Sequence, residues 1–107
     1  MGRPALEVNG TTRFASKLAS LDKKDELWRS TGAWLEKLKA DSQAGTKIPR
    51  DLWPADYTRN HGATNLYKCN LAGAHRLPYT IYVELGQVKV PAIDFMTHKE
   101  YEKVFGH

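Results

Sequence analysis

The order of apolar patterns along the chain predicts an α+β fold: an antiparallel sheet, an N-terminal helical hairpin packed on one of its faces, and a short C-terminal helix. Three observations carry this. Apolar residues recur at helical spacing between Phe14 and Leu38. They alternate at strand spacing between Leu66 and Phe95. A helix-start signal, Thr97-His98-Lys99-Glu100, follows the last strand-like run.

The elements follow in order. Ala5 to Val8 reads as a short strand, and Asn9-Gly10-Thr11-Thr12 as a turn that holds capping residues. Phe14, Leu18 and Leu21 then mark one face of a first helix. Asp22 or Asp25 starts a second, whose apolar side is Leu27, Trp34, Leu35 and Leu38 with Trp28 near it. Lys37 and Lys39 suit the negative end of its dipole. The segment from Asp41 to Asn65 holds Gly45, Pro49, Pro54 and Gly62 and reads as a long connection. Within it Ile48 to Pro54 is an anchored loop, because Leu52 and Trp53 are too apolar for free solvent.

After Asn65, Tyr67, Cys69 and Leu71 share one strand face, and Lys68 and Asn70 the other. Ala72-Gly73-Ala74 is a turn. From His75 to Val83, Leu77, Tyr79, Ile81 and Val83 alternate with Arg76, Pro78, Thr80 and Tyr82. Glu84 to Gln87 is a second turn with Gly86 at positive φ, and Val88 to Phe95 a third strand. The sheet so drawn has one apolar face and one mixed polar face. Pro78 and Pro91 each remove a ladder donor, so a bulge or an unpaired side is expected at each. Tyr101, Val104 and Phe105 complete a final helix, too short to persist without packing.

A chain of 107 residues reads as a single domain, 1–107, with one modest core. No apolar run reaches membrane-spanning length, and Met1 to Gly10 lacks the apolar centre of a secretory signal. The one cysteine, Cys69, excludes an internal disulfide; it sits on the apolar strand face and fits a reducing cytoplasm. A net charge of +4 permits a polyanionic partner. Lys/Arg and Asp/Glu divide evenly between residues 1–44 and 45–107, so a basic surface must be assembled by folding.

Asn65-Leu66-Tyr67-Lys68-Cys69-Asn70-Leu71, then Arg76-Leu77-Pro78-Tyr79-Thr80-Ile81, then His98-Lys99-Glu100-Tyr101, resemble the RelE/ParE toxin superfamily of toxin–antitoxin pairs. The likeness covers residues 65–105 closely, and the helices before them in type and order. It implies a cytoplasmic, ribosome-dependent mRNA endoribonuclease needing no cofactor or metal, neutralised by a cognate antitoxin. RNA cleavage by the 2′-hydroxyl needs a base, cations for the charge growing on phosphate, and an acid for the leaving oxygen. The resemblance places Lys68, Arg76, His98 and Tyr101 in these roles, with weaker RNA contacts from Asn70, Tyr82, Lys89 and Lys99. Asn70 stands where ribonucleolytic members often carry a second basic residue, and no arginine follows Arg76. ParE-type members inhibit DNA gyrase instead, so a binding protein on the same fold, or a catalytically inactive relative, is the alternative.

Each residue also has a plain structural explanation. Lys68 is a solvated charge, Arg76 an ion-pair partner of Glu84 or Asp94, His98 a residue facing water, and Tyr101 the anchor of a short helix. His75 points away from Arg76, and His61 and His107 have no metal-site spacing. The three tryptophans read as packing residues.

Overall fold

The computed structural model describes residues 3–5, 7–55, 57, 59 and 64–105. Their elements run β1 (Glu7–Gly10), α1 (Thr12–Ala19), α2 (Glu26–Ala40), β2 (Thr46–Lys47), β3 (Tyr67–Leu71), β4 (His75–Tyr79), β5 (Tyr82–Glu84), β6 (Gln87–Ala92), β7 (Met96–Thr97) and α3 (His98–Phe105). The α+β class holds. Among the described residues the sheet has seven strands, in the order β1-β6-β4-β3-β2, with β5 pairing β6 and β7 pairing β4. It is mixed rather than antiparallel, because β1 lies parallel to β6, Val8 opposite Val90. Strand alternation shows which side chains share a face but carries nothing about the direction of the neighbour. The first strand also begins two residues later than expected; Leu6, His61 and His107 lie outside the described residues.

Local chemistry sets the helix starts. The Thr11 hydroxyl accepts from the Phe14 amide at 3.1 Å, and the Asp25 carboxylate from the Leu27 amide at 2.8 Å. At α3 the capping box closes both ways: the Thr97 amide donates to Glu100 Oε1 at 2.9 Å, and the Glu100 amide to Thr97 Oγ1 at 3.1 Å. Phe14 from α1 and Leu27 and Leu38 from α2 bury against Cys69, Leu77 and Tyr79 of the sheet. Gly45 passes so close to this core that a Cβ would lie 2.6 Å from the Lys68 carbonyl and 2.8 Å from the Tyr79 hydroxyl, to which the Gly45 amide donates at 3.1 Å.

Both prolines fall on one seam, which explains how they fit. Along β4 and β6 the Ile93 amide donates to the Pro78 carbonyl at 2.9 Å, and the Thr80 amide to the Pro91 carbonyl at 3.3 Å. Each pair has lost its return bond, so the run expected from His75 to Val83 divides into β4 and β5 around Thr80 and Ile81. The orphaned Ile93 carbonyl accepts from the Thr11 hydroxyl at 2.6 Å. On the other edge of the gap the Asn65 side chain donates to the Ile81 carbonyl at 2.7 Å and accepts from its amide at 2.8 Å, which extends the β3 ladder by one side chain. The β5–β6 hairpin turns on Leu85 and Gly86, both at positive φ (52° and 78°). Only Gly86 was expected there; leucine adopts that conformation at a steric cost.

The run from Val88 to Phe95 is interrupted as well. Tyr79 lies opposite Ala92 and Arg76 opposite Met96, so β6 and β7 carry one more residue than β4 does between them. This is a β-bulge at Asp94 and Phe95. The largest departure is the second sheet face. It is not an open polar surface: Leu66, Ile93 and Met96 bury there under Tyr101 and Phe105 of α3, with Ile48 beside them. Leu52, Trp53 and Tyr57 pack against the edge of this second core. The loop from Ile48 is anchored as expected, and the Trp53 indole donates to the Ile48 carbonyl at 2.9 Å.

Candidate functional site

Lys68 on β3 and Arg76 on β4 point to the second face, at the rim of its core. The register puts Lys68 opposite Pro78 and Asn70 opposite Arg76, so the two cations are diagonal neighbours on adjacent strands. Tyr101 reaches them from α3: Lys68 Nζ lies 5.1 Å from the centre of its ring. One β-hairpin and a helix about twenty residues further on thus bring three of the four expected catalytic residues together.

The electrostatics follow from burial and like charge. Partial burial lowers the pKa of Lys68, and the nearby Arg76 guanidinium lowers it further. Burial raises that of the Tyr101 phenol, while Arg76 pulls it the other way. Arg76 donates from Nη1 to the carbonyl of His75 at 3.0 Å. Its Nε is buried with no hydrogen-bond partner among the described residues. Neither Glu84 nor Asp94 is its ion-pair partner: Glu84 holds Lys89 at 2.9 Å, and Asp94 holds Lys17 and Arg13. The site therefore has two cations, one of them with an unused donor, and a protonated phenol. Such a set can receive one phosphate and supply a proton beside it.

His98 does not join it. It is half exposed at the start of α3, and its Nε2 lies 2.7 Å from Glu102 one turn on. Asn70 is exposed across from Arg76, and its carbonyl accepts from the Trp34 indole at 3.1 Å. Tyr82 and Lys89 face each other on the β5–β6 hairpin, with β4 between β6 and β3. Glu84, and Glu7 at 3.9 Å, offset the charge of Lys89 there. Lys99 is exposed in the first turn of α3. Of the expected secondary contacts, Asn70 thus stays beside Arg76, while Tyr82 and Lys89 lie apart on the hairpin. Cys69 is buried in the first core, which pushes its thiol up to about 12, so it is a packing residue and not a nucleophile.

A second polar centre was not foreseen. At the bulge, Asp94 is buried and holds Lys17 Nζ at 2.8 Å and Arg13 Nε at 3.1 Å, both from α1. Lys17 also donates to the Phe95 carbonyl at 3.0 Å, and the Phe95 amide to Asp94 Oδ1 at 2.8 Å. Above it opens a cleft of about 500 Å³ lined by Thr12, Arg13, Tyr57, Met96, Glu100 and Val104, among others; neither Lys68 nor Arg76 lines it. Burial, and next the Asp94 charge, raise the pKa of Tyr57. The signal in the sequence was an acid inside the apolar run Val88 to Phe95; its partners lie about eighty residues earlier and leave no local trace.

Among the described residues no three His, Cys, Asp or Glu side chains gather as a metal site, and no helix is long and apolar enough to cross a membrane. Compared with known protein families, with curated proteins and with solved structures, the chain matches none.

Proposed function

We propose that the chain is a RelE-type toxin: a cytoplasmic, metal-independent endoribonuclease that cuts mRNA at the ribosome and is held inactive by an antitoxin protein. The observation that supports this reading most is the convergence of Lys68, Arg76 and Tyr101 from β3, β4 and α3. Arg76 binds the scissile phosphate with its unused Nε and offsets the charge that grows there. Lys68, whose neutral amine is made more accessible by its lowered pKa, takes the 2′-hydroxyl proton. The Tyr101 phenol, kept protonated by burial, gives a proton to the leaving 5′-oxygen. His98, tied to Glu102, stands outside this set.

A second reading is a binding protein on the same scaffold, with gyrase or an antitoxin-type partner as its target. It is favoured by the burial of Tyr101 (2% exposed) and by the diversion of His98. Cell-free translation with the purified chain, followed by mapping of mRNA ends, separates the two. Discrete ribosome-dependent cuts that disappear with Arg76→Ala establish the nuclease. Intact message with normal translation discards it, and a gyrase supercoiling assay then tests the second reading.

A further inference from the structure

The cleft above Asp94 carries chemistry that the Lys68–Arg76 site does not use. Among the described residues it holds about 500 Å³, within the ordinary range for small-ligand sites. Its two polar walls carry opposite charge. On the α1 side two cations, Lys17 and Arg13, meet one carboxylate, Asp94, so that wall keeps a net positive charge. Lys17 is fixed there by Asp94 and by the Phe95 carbonyl at 3.0 Å. Arg13 meets Asp94 through Nε, and its side chain is 74% exposed, so most of its planar fork of donors stays open. On the α3 side stands Glu100, whose Oε1 accepts from the Thr97 amide and whose carboxylate keeps further lone pairs. The bonds to Thr97 hold the Glu100 carboxyl down, and the Lys17 charge adds a smaller pull, so the two walls sense each other. Apolar side chains share the lining. Ile93 and Met96 are buried, and Val104, one turn beyond Glu100, is 39% exposed.

We propose that this cleft binds a small aliphatic zwitterion, a free amino acid or dipeptide, with its carboxylate on Arg13, its ammonium on Glu100 and its side chains against Met96 and Val104. A ligand with a carboxylate alone sets a like charge beside Glu100, and one with an amine alone sets a like charge beside Arg13. A ligand with both meets each wall with the opposite charge. Asp94 prepares the cleft for it: the buried carboxylate neutralises Lys17 and orients Arg13 before the ligand arrives, so binding orders few side chains. Neither Lys68 nor Arg76 lines the cleft, so the proposal stands apart from the ribonuclease reading.

The test titrates the isotope-labelled full chain with L-leucine and with L-leucyl-L-leucine and follows the backbone amides by NMR. Saturable shifts are expected at Thr12, Arg13, Met96, Glu100 and Val104, with Kd about 1 mM or tighter for at least one probe. The tighter of the two tells amino acid from dipeptide. Acetylating its amine or amidating its carboxylate should each weaken binding. Arg13→Met leaves Asp94 paired with Lys17; it should weaken the unmodified probe about tenfold and leave the amidated one unchanged. Glu100→Gln keeps an acceptor for the Thr97 amide; it should weaken the unmodified probe about threefold and leave the acetylated one unchanged. The modified probes test the charge requirement on the parent chain, so the proposal does not depend on a variant folding. Either modified probe binding as tightly as the unmodified one overturns the zwitterion. Shifts centred on Lys68 and Arg76, or no saturable shift with either probe up to about 10 mM, overturn the site.

Discussion

The two faces of the sheet are built from alternate residues of the same strands and do opposite work. Tyr67, Cys69 and Leu71 face α1 and α2, and the core there is largely apolar, with buried hydroxyls such as those of Thr31 and Tyr79 hydrogen-bonded to backbone carbonyls. Leu66, Lys68 and Asn70 face the other way, where an apolar centre gives way to cations at its rim. The first face is closed by helices of 8 and 15 residues, the second by one of 8 with the Ile48–Tyr57 segment beside it. The first face holds the fold. The second leaves a buried donor without an acceptor among the described residues, an arrangement that costs stability.

Truncation gives the largest effects and separates the faces most sharply. Leu77→Ala, in the middle of the first core, is expected to cost about 2–5 kcal/mol and to lower the urea midpoint of the whole chain. Phe105→Ala removes more apolar area, yet its expected signature is local: amides of α3 exchange faster while those of β3 and β4 keep their protection. Equal loss of protection on both faces would show one indivisible core.

Asp94→Ala comes next. It leaves Lys17, two-thirds buried, and the more exposed Arg13 without their carboxylate at the bulge. A fully buried broken pair costs about 3–5 kcal/mol; with partners this exposed, about 2 kcal/mol is expected, read from the same urea curves. Asp94→Asn keeps an acceptor for the Phe95 amide and should lose less.

Arg76→Met sharpens the comparison from the other side. Removing a buried, unpaired donor from beside Lys68 should raise stability by about 1 kcal/mol and abolish RNA binding together. The Lys68 pKa should also rise toward its ordinary value, since a like charge is gone, and NMR titration of its side-chain resonances measures that directly. Lower stability in this variant would mean that Arg76 is part of the scaffold.

The smallest effect is at the cap of α3. Bonds from the Thr97 backbone and hydroxyl hold the Glu100 carboxyl below its ordinary 4.5. A depressed folded value means that the stabilisation is fully present above pH 4.5 and fades as pH falls through that lower value. Because Glu100 is exposed, the contribution is on the order of a few tenths of a kcal/mol. Exchange of the α3 amides should rise on acidification below pH 4.5, and Glu100→Ala should remove the dependence.

Much of the site was legible because strand alternation is local: Lys68 and Arg76 had to share a face once β3 and β4 paired. That Tyr101 would meet them followed from helix spacing only if α3 packed back on that face, which it does through its rings. Where His98 would sit was not legible, because Glu102 at i+4 holds it on its own helix. The acids beside Lys89 were not legible either, because Glu84 and Glu7 come to it from β5 and β1.

The sequence by itself determined the α+β class, the capping box at Thr97 and Glu100, capping residues ahead of the first two helices, the faces of the β3 residues, and the turns at Gly73 and Gly86. Each depends on neighbours a few positions away, through steric limits on φ or a side chain that reaches its own backbone. Tertiary structure alone decided the parallel seating of β1, the shared seam of Pro78 and Pro91, the Asp94 bulge with its α1 cations, and the closing of the second face by α3. These join groups as much as eighty residues apart, and what selects among them is the burial of area and the pairing of orphaned polar atoms. Those quantities exist only once the chain has folded.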